Sequence, residues 1–181
     1  MNKSKIAGIA FNVPDNIVTN HDLEKMMDTT DEWIQTRSGI KERRWVKPGV
    51  ANSDLALPAC QEAIQNAGIS PDDIDAIVVG TVTSDFNFPG MAPIIQQKLG
   101  ISAHVPAYDI SAACSAFIYL LEIGDQYIKS GKYNNILLVG SDIMSTIIER
   151  TPEGRATGVL FGDGSGACLL YTSPSPRDSD S

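Results

Sequence analysis

Histidine is scarce in this chain, and cysteine never clusters. His21 and His104 stand far apart, and Cys60, Cys114 and Cys168 share no short spacing. Metal sites are read from closely spaced Cys and His pairs, so no metal is expected. No run of eighteen apolar residues is present, which excludes a membrane-spanning helix and leaves no membrane partner to expect. Basic charge is in deficit, with a formal net charge of −8, and general nucleic-acid binding is excluded on that ground. No internal repeat recurs. Met1-Asn2-Lys3-Ser4-Lys5 is followed by one short apolar strand without a small-residue cleavage site, so no secretory signal is expected. A reduced, cytoplasmic setting is the simplest reading of the three unpaired cysteines.

What remains is an ordinary globular composition, 181 residues with 43% hydrophobic and 20% charged side chains. Its apolar runs alternate in period. Residues 5–13, 74–83, 106–110 and 135–140 read as strands, and 157–161 with 165–170 read as a hairpin around Gly162-Asp163-Gly164. Between them lie helix patterns. One starts at Asn20, and one is capped by Thr30 or Asp31 and stopped by Gly39. A longer one runs from Asn52 or Ser53 to Gly68, one ends at Leu99-Gly100, and one covers 115–129. Strands alternating with helices predict an α/β fold, a mixed and mostly parallel sheet covered by helices.

Asp109-Ile110-Ser111-Ala112-Ala113-Cys114-Ser115-Ala116-Phe117 is the segment richest in chemistry. It puts a cysteine where a strand gives way to a helix, beside the unpaired N–H groups of the first turn. That field favours a thiolate, hence a nucleophile. A small core cysteine fits the same segment equally well. Other positions are similarly two-sided. Trp33 reads as a core anchor, Thr29 or Thr30 as a helix cap, Asp163 as a turn residue, and Cys60 as core. Arg37, Lys41, Arg43, Arg44 and Lys47 place five cations in eleven residues. Such a cluster suits a phosphate-bearing or acidic partner, or simply a solvated face.

The chain divides at Ala167. Residues 1–167 read as folded, whereas 168–181, with the run Ser173-Pro174-Ser175-Pro176, read as a non-native or disordered tail. The run resembles the in-frame translation of an adapter used in preparing sequencing libraries; a natural flexible tail is the alternative.

Four segments together resemble the β-ketoacyl-acyl carrier protein synthase III family. They are Asp28 to Ile40 (containing Asp31-Glu32-Trp33-Ile34), Asp109 to Phe117, Asp125 to Gly131, and Phe161 to Ala167. The resemblance implies a thiolase-like fold, of which this is the N-terminal half only, since family chains are about twice as long. It implies an acyltransferase. A short acyl group passes from coenzyme A to Cys114, then condenses with the decarboxylated unit of malonyl-acyl carrier protein to start fatty-acid synthesis. The backbone N–H of Cys114 is then an oxyanion donor. By the same resemblance, Trp33 and Arg155 sandwich the adenine ring and Thr29 hydrogen-bonds it. Arg37 meets a phosphate, and Phe88 crosses a homodimer interface to close the partner's acyl pocket. Coenzyme A thioester is a substrate; no cofactor is held permanently. Ala116 departs from the family, which usually has Gly there, and this puts acyl-length preference in question. His21 and His104 do not match the family's catalytic His, and its catalytic Asn is also without a counterpart, so this chain alone is expected to be inactive in condensation and poorly soluble. Two other readings stay open: another thiolase-fold condensing enzyme (polyketide, signalling ketone or hydrocarbon synthesis), and a non-catalytic acyl-CoA-binding half-domain.

Overall fold

A computed structural model describes residues 2–102 and 104–173. Along them run β1 (Lys3–Asn12), β2 (Ile17–Thr19), α1 (Asn20–Glu24), α2 (Asp31–Ser38), β3 (Glu42–Arg44), α3 (Asn52–Ala67), β4 (Ala76–Gly80), α4 (Met91–Lys98), β5 (Ala107–Ile110), α5 (Ala116–Lys129), β6 (Asn135–Ile143), α6 (Arg155–Gly158) and β7 (Asp163–Ser173). One sheet has the order β1-β7-β6-β4-β5, and β2 and β3 form a separate ribbon. β4 runs parallel to both β5 and β6; β7 is antiparallel to both β6 and β1. The sheet is mixed, as expected, with two pairings of each kind.

Strand periodicity sorts the core onto two faces. Ile77, Val79, Leu137, Val139, Ala167 and Leu169 pack under α3 and α4. Their chain neighbours Ala76, Val78, Ile136, Leu138, Cys168 and Leu170 pack under α5. Burial on both faces is why β4 and β6 read as continuous apolar runs rather than alternating ones. A fully buried Leu or Ile contributes about 1.5–3 kcal/mol relative to exposure, so this double layer dominates the fold's stability. Val18, Leu23, Met27, Ile34, Trp45 and Val159 form a third cluster under the β2–β3 ribbon, α1 and α2.

Local chemistry corrects several expectations. The cap of α1 is Thr19, whose hydroxyl accepts the Asp22 N–H at 3.2 Å while Asp22 accepts the Thr19 N–H at 3.0 Å. Asn20 is buried and donates to Asp31 and the Ile40 carbonyl instead. Thr30 caps α2, and Gly39 and Gly68 end α2 and α3 in the left-handed region, as their sequence positions predict. Ala51 occupies the cap position of α3, while Asn52 lies fully buried just inside.

Residues 157–161 are not a strand. Arg155–Gly158 is helical, and the carbonyls beyond it are taken by side chains: Arg43 Nη2 donates to Val159 O at 3.0 Å and Trp45 Nε1 to Phe161 O at 3.2 Å. With those acceptors used, β7 pairs with β6 and β1. β7 also runs through Ser173, six residues past the boundary drawn at Ala167, because its Cys168, Leu169 and Leu170 fill buried sheet positions. The rest of the expected tail, 174–181, lies outside the described residues.

Candidate active site

The parallel pairing of β4 with β6 stops at Gly80 and Gly140, where β4 ends and β6 continues to Ile143. Above them the chain turns from β5 into α5. Ala113 takes φ of 45°, unusual for a residue with a side chain, and Ala113–Ser115 forms a single 3-10 turn before α5 begins. Cys114 sits on that turn. It is exposed, whereas Cys60 and Cys168 are buried. Burial pushes the thiol of Cys60 up to about 12 and that of Cys168 up to about 11, leaving both inert at neutral pH. Of the sequence's two readings of Cys114, the core cysteine is therefore wrong.

The sheet floor leaves no room for a side chain at Gly80 and little at Gly140. A Cβ on Gly80 would lie 2.7 Å from the Cβ of Ala116, and one on Gly140 would lie 3.3 Å from Cδ2 of Phe117. Their absence lets the first turn of α5 settle onto the sheet at Gly80 and Gly140. A cavity of about 220 Å³ remains, lined by Gly80, Cys114, Ala116, Phe117, Gly140 and Asp142 among others. Ala116 is 3% exposed, its methyl pressed toward Gly80.

Asp142 is a residue the periodicity did not reveal. Its Oδ1 accepts from the Thr81 hydroxyl (2.9 Å), the Val82 N–H (2.8 Å), the Thr83 N–H (3.1 Å) and the Thr83 hydroxyl (2.7 Å). This ends β4 at Gly80 and anchors one end of the loop that carries Phe88. Asn52, buried below, ties the Thr81 hydroxyl, the Thr83 carbonyl and Ser141 together. Asp109, five residues before Cys114, accepts the Met91 and Ala92 N–H groups at 2.5 and 2.7 Å and so holds the loop's other end. Phe88 itself is 90% exposed and does not line the Cys114 cavity of its own chain. Only these long-range acceptors, invisible to spacing, mark Asp109 and Asp142.

A second constellation lies on the β2–β3 ribbon side. Trp33, half-buried on α2, carries two guanidiniums: Arg37 Cζ at 4.4 Å and Arg155 Cζ at 4.9 Å from its ring centroid. Arg155 also donates to the Asp28 carbonyl at 2.8 Å. The Thr29 hydroxyl next to it is shut off from solvent and has no partner among the described residues. The structure thus gathers Trp33, Arg37 and Arg155, with Thr29 adjacent in sequence. The five-cation cluster is dispersed. Arg43 is 6% exposed and donates to the Val18 and Val159 carbonyls. Burial lowers its ordinary value, and Arg44 donates to the Pro14 and Asp15 carbonyls. Asp163, read as a turn residue, is a buried acceptor that joins Val46 to Ser145.

The model for 3-oxoacyl-[acyl-carrier-protein (ACP)] synthase III matches residues 108–180. The beta-ketoacyl-[acyl-carrier-protein] synthase III of Caldanaerobacter subterraneus is 49% identical over 165 residues, covering 91% of this chain and 49% of its own. Over that half-length the chain is similar to the β-ketoacyl-[acyl-carrier-protein] synthase III family. The crystal structure of the Aquifex aeolicus 3-oxoacyl-[acyl-carrier-protein] synthase III superposes with a TM-score of 0.90 at 45% identity, over 95% of this chain and 55% of that one. The priming beta-ketosynthase of the R1128 polyketide pathway superposes with a TM-score of 0.89 at 32% identity, over 96% and 51%. The thiolase-like expectation is met in these synthase III neighbours, and the chain spans about half the length of the curated relatives it matches. Among the described residues no group of three His, Cys, Asp or Glu is placed to hold a metal, and no helix is long and apolar enough to cross a membrane.

Proposed function

We propose that this chain carries the acyl-loading half of a β-ketoacyl-acyl carrier protein synthase III. The observation that supports it best is the exposed Cys114 on the 3-10 turn that leads into α5, just after the left-handed Ala113 and above a glycine floor. The Cys114 thiolate attacks the thioester carbon of a short acyl-CoA. The carbonyl oxygen takes up negative charge facing the Cys114 backbone N–H, and collapse expels the coenzyme A thiolate. Thioester exchange between similar thiols is close to balanced, so positioning decides the rate.

Trp33, Arg37, Arg155 and Thr29 form the nucleotide end of the same substrate. An indole face and planar guanidiniums suit adenine and phosphate, and the orphaned Thr29 hydroxyl suits an adenine nitrogen. Phe88, on a loop pinned at both ends, serves the acyl pocket of a second copy in a cytoplasmic homodimer. Condensation with malonyl-acyl carrier protein belongs to the whole protein, because no histidine here matches the family's catalytic one. The likeness to a polyketide priming ketosynthase favours a second reading, the same loading chemistry feeding a different product.

The test is intact-mass measurement after incubation with acetyl-CoA. One acetyl group per chain, absent in Cys114→Ser and accompanied by no turnover, is expected. No adduct, or an adduct retained in the variant, refutes the reading.

A further inference from the structure

The adenine slot is shut. A base held between an indole and a guanidinium needs two stacking contacts of about 3.5 Å each, so the flanking groups must stand about 7 Å apart. Arg155 lies 4.9 Å from the Trp33 centroid, in the space the base would take. Its place is fixed from two directions. The backbone before it is held by the Gly154 N–H, which donates to the Thr151 carbonyl at 3.1 Å, in a turn so close to Glu149 that a Cβ on Gly154 would lie 2.2 Å from the Glu149 carbonyl oxygen. Asp28 holds the head group, through its carbonyl at 2.8 Å and its carboxylate at 3.8 Å. Arg37 rests on the same ring, so adenine reaches the indole only by displacing a cation.

Building on the nucleotide-site reading above, we propose that Asp28 is a positioning residue that latches Arg155 onto Trp33 and so sets how fast the slot opens to coenzyme A. The latch is weak by design of its surroundings: the Asp28 side chain is 83% exposed and that of Arg155 40%. An exposed ion pair is screened by water and salt. Its release therefore changes an association rate rather than building or destroying the site. On entry of the base, Arg155 exchanges one face of the indole for one face of adenine. The stack is then longer by one contact, which offsets the lost ion pair.

Stopped-flow tryptophan fluorescence with coenzyme A as the probe tests this in the 181-residue chain. Trp33→Phe serves as the blank, since Trp45 is buried beneath Arg150. Asp28→Asn should associate about threefold faster with an unchanged dissociation rate, and the difference should shrink as salt rises. Glu32→Gln removes the same charge from exposed α2 without touching Arg155, and should leave the rate near wild type. Arg155→Ala should associate fast and dissociate faster, having lost both latch and clamp. Equal acceleration by Asp28→Asn and Glu32→Gln, or none by either, overturns the latch while the site stands. Absence of any Trp33 signal with coenzyme A in wild type and Asp28→Asn alike overturns the nucleotide site and the latch together.

Discussion

The sheet that carries Cys114 and the lobe that carries Trp33 are built on different principles. In the sheet, apolar strands buried on both faces do the work, and close approach is secured by what is missing, the side chains of Gly80 and Gly140. In the lobe, polar side chains seize backbone groups of distant residues: Arg43 takes Val18 and Val159, Trp45 takes Phe161, Asp163 takes Val46 and Ser145, and Arg155 takes Asp28. One region fails by overpacking and the other by losing a partner. Cys114 thus rests on a rigid floor, while Trp33 sits among straps that can be released.

Substitutions that act on one region and spare the other test that contrast. Gly80→Ala should have the largest effect, about 1–3 kcal/mol lost in urea unfolding through the clash with Ala116. Adding Ala116→Gly should restore most of it, and independent costs in the double variant would refute the pairing. Arg43→Ala should cost about 1–3 kcal/mol by stranding two carbonyls. It should alter Trp33 fluorescence and leave Cys114 alkylation unchanged. Asp142→Ala removes the acceptor of four hydrogen bonds. It should raise amide exchange at Val82 and Thr83 at least tenfold, about 1.4 kcal/mol of local protection, before any change in global stability.

Acid gives the smallest and most graded effect. Asp22 is held below the ordinary carboxylate range by Lys25 and Thr19, Glu24 by the Asp31 N–H and His21, and Asp31 by Asn20 and Gln35. Depressed values in the folded state add stability that is complete above the unfolded values of 3.8 and 4.5 and is lost as pH falls through the folded ones. Below about pH 4, Trp33 fluorescence should change ahead of the far-UV signal of the sheet. Simultaneous loss would mean that the lobe has no separate acid sensitivity.

The same contrast explains what could be read from sequence. β4, β6 and α5 announce themselves by apolar runs and period, and the placement of Cys114 between strand and helix followed from them. Segment 157–161 misled because its apolar Val159, Leu160 and Phe161 look like a strand until Arg43 and Trp45, more than a hundred residues earlier, claim their carbonyls. Asp109, Asp142 and Asn52 were missed for the same reason, since each acts on residues that only the fold brings near. The Trp33–Arg155 pair came from family resemblance; its direct contact, 4.9 Å from guanidinium carbon to ring centroid, is a property of the structure alone.

The central claim is that a nucleophile on the sheet and a nucleotide clamp on the lobe serve one substrate. The direct measurement is the rate of Cys114 acetylation by acetyl-CoA against acetyl-pantetheine, which lacks the nucleotide, followed by peptide mass. Acetyl-CoA should react about tenfold faster at subsaturating concentration, and Trp33→Ala should erase the difference while sparing the pantetheine rate. Equal rates for the two thioesters in the wild-type chain would contradict the account.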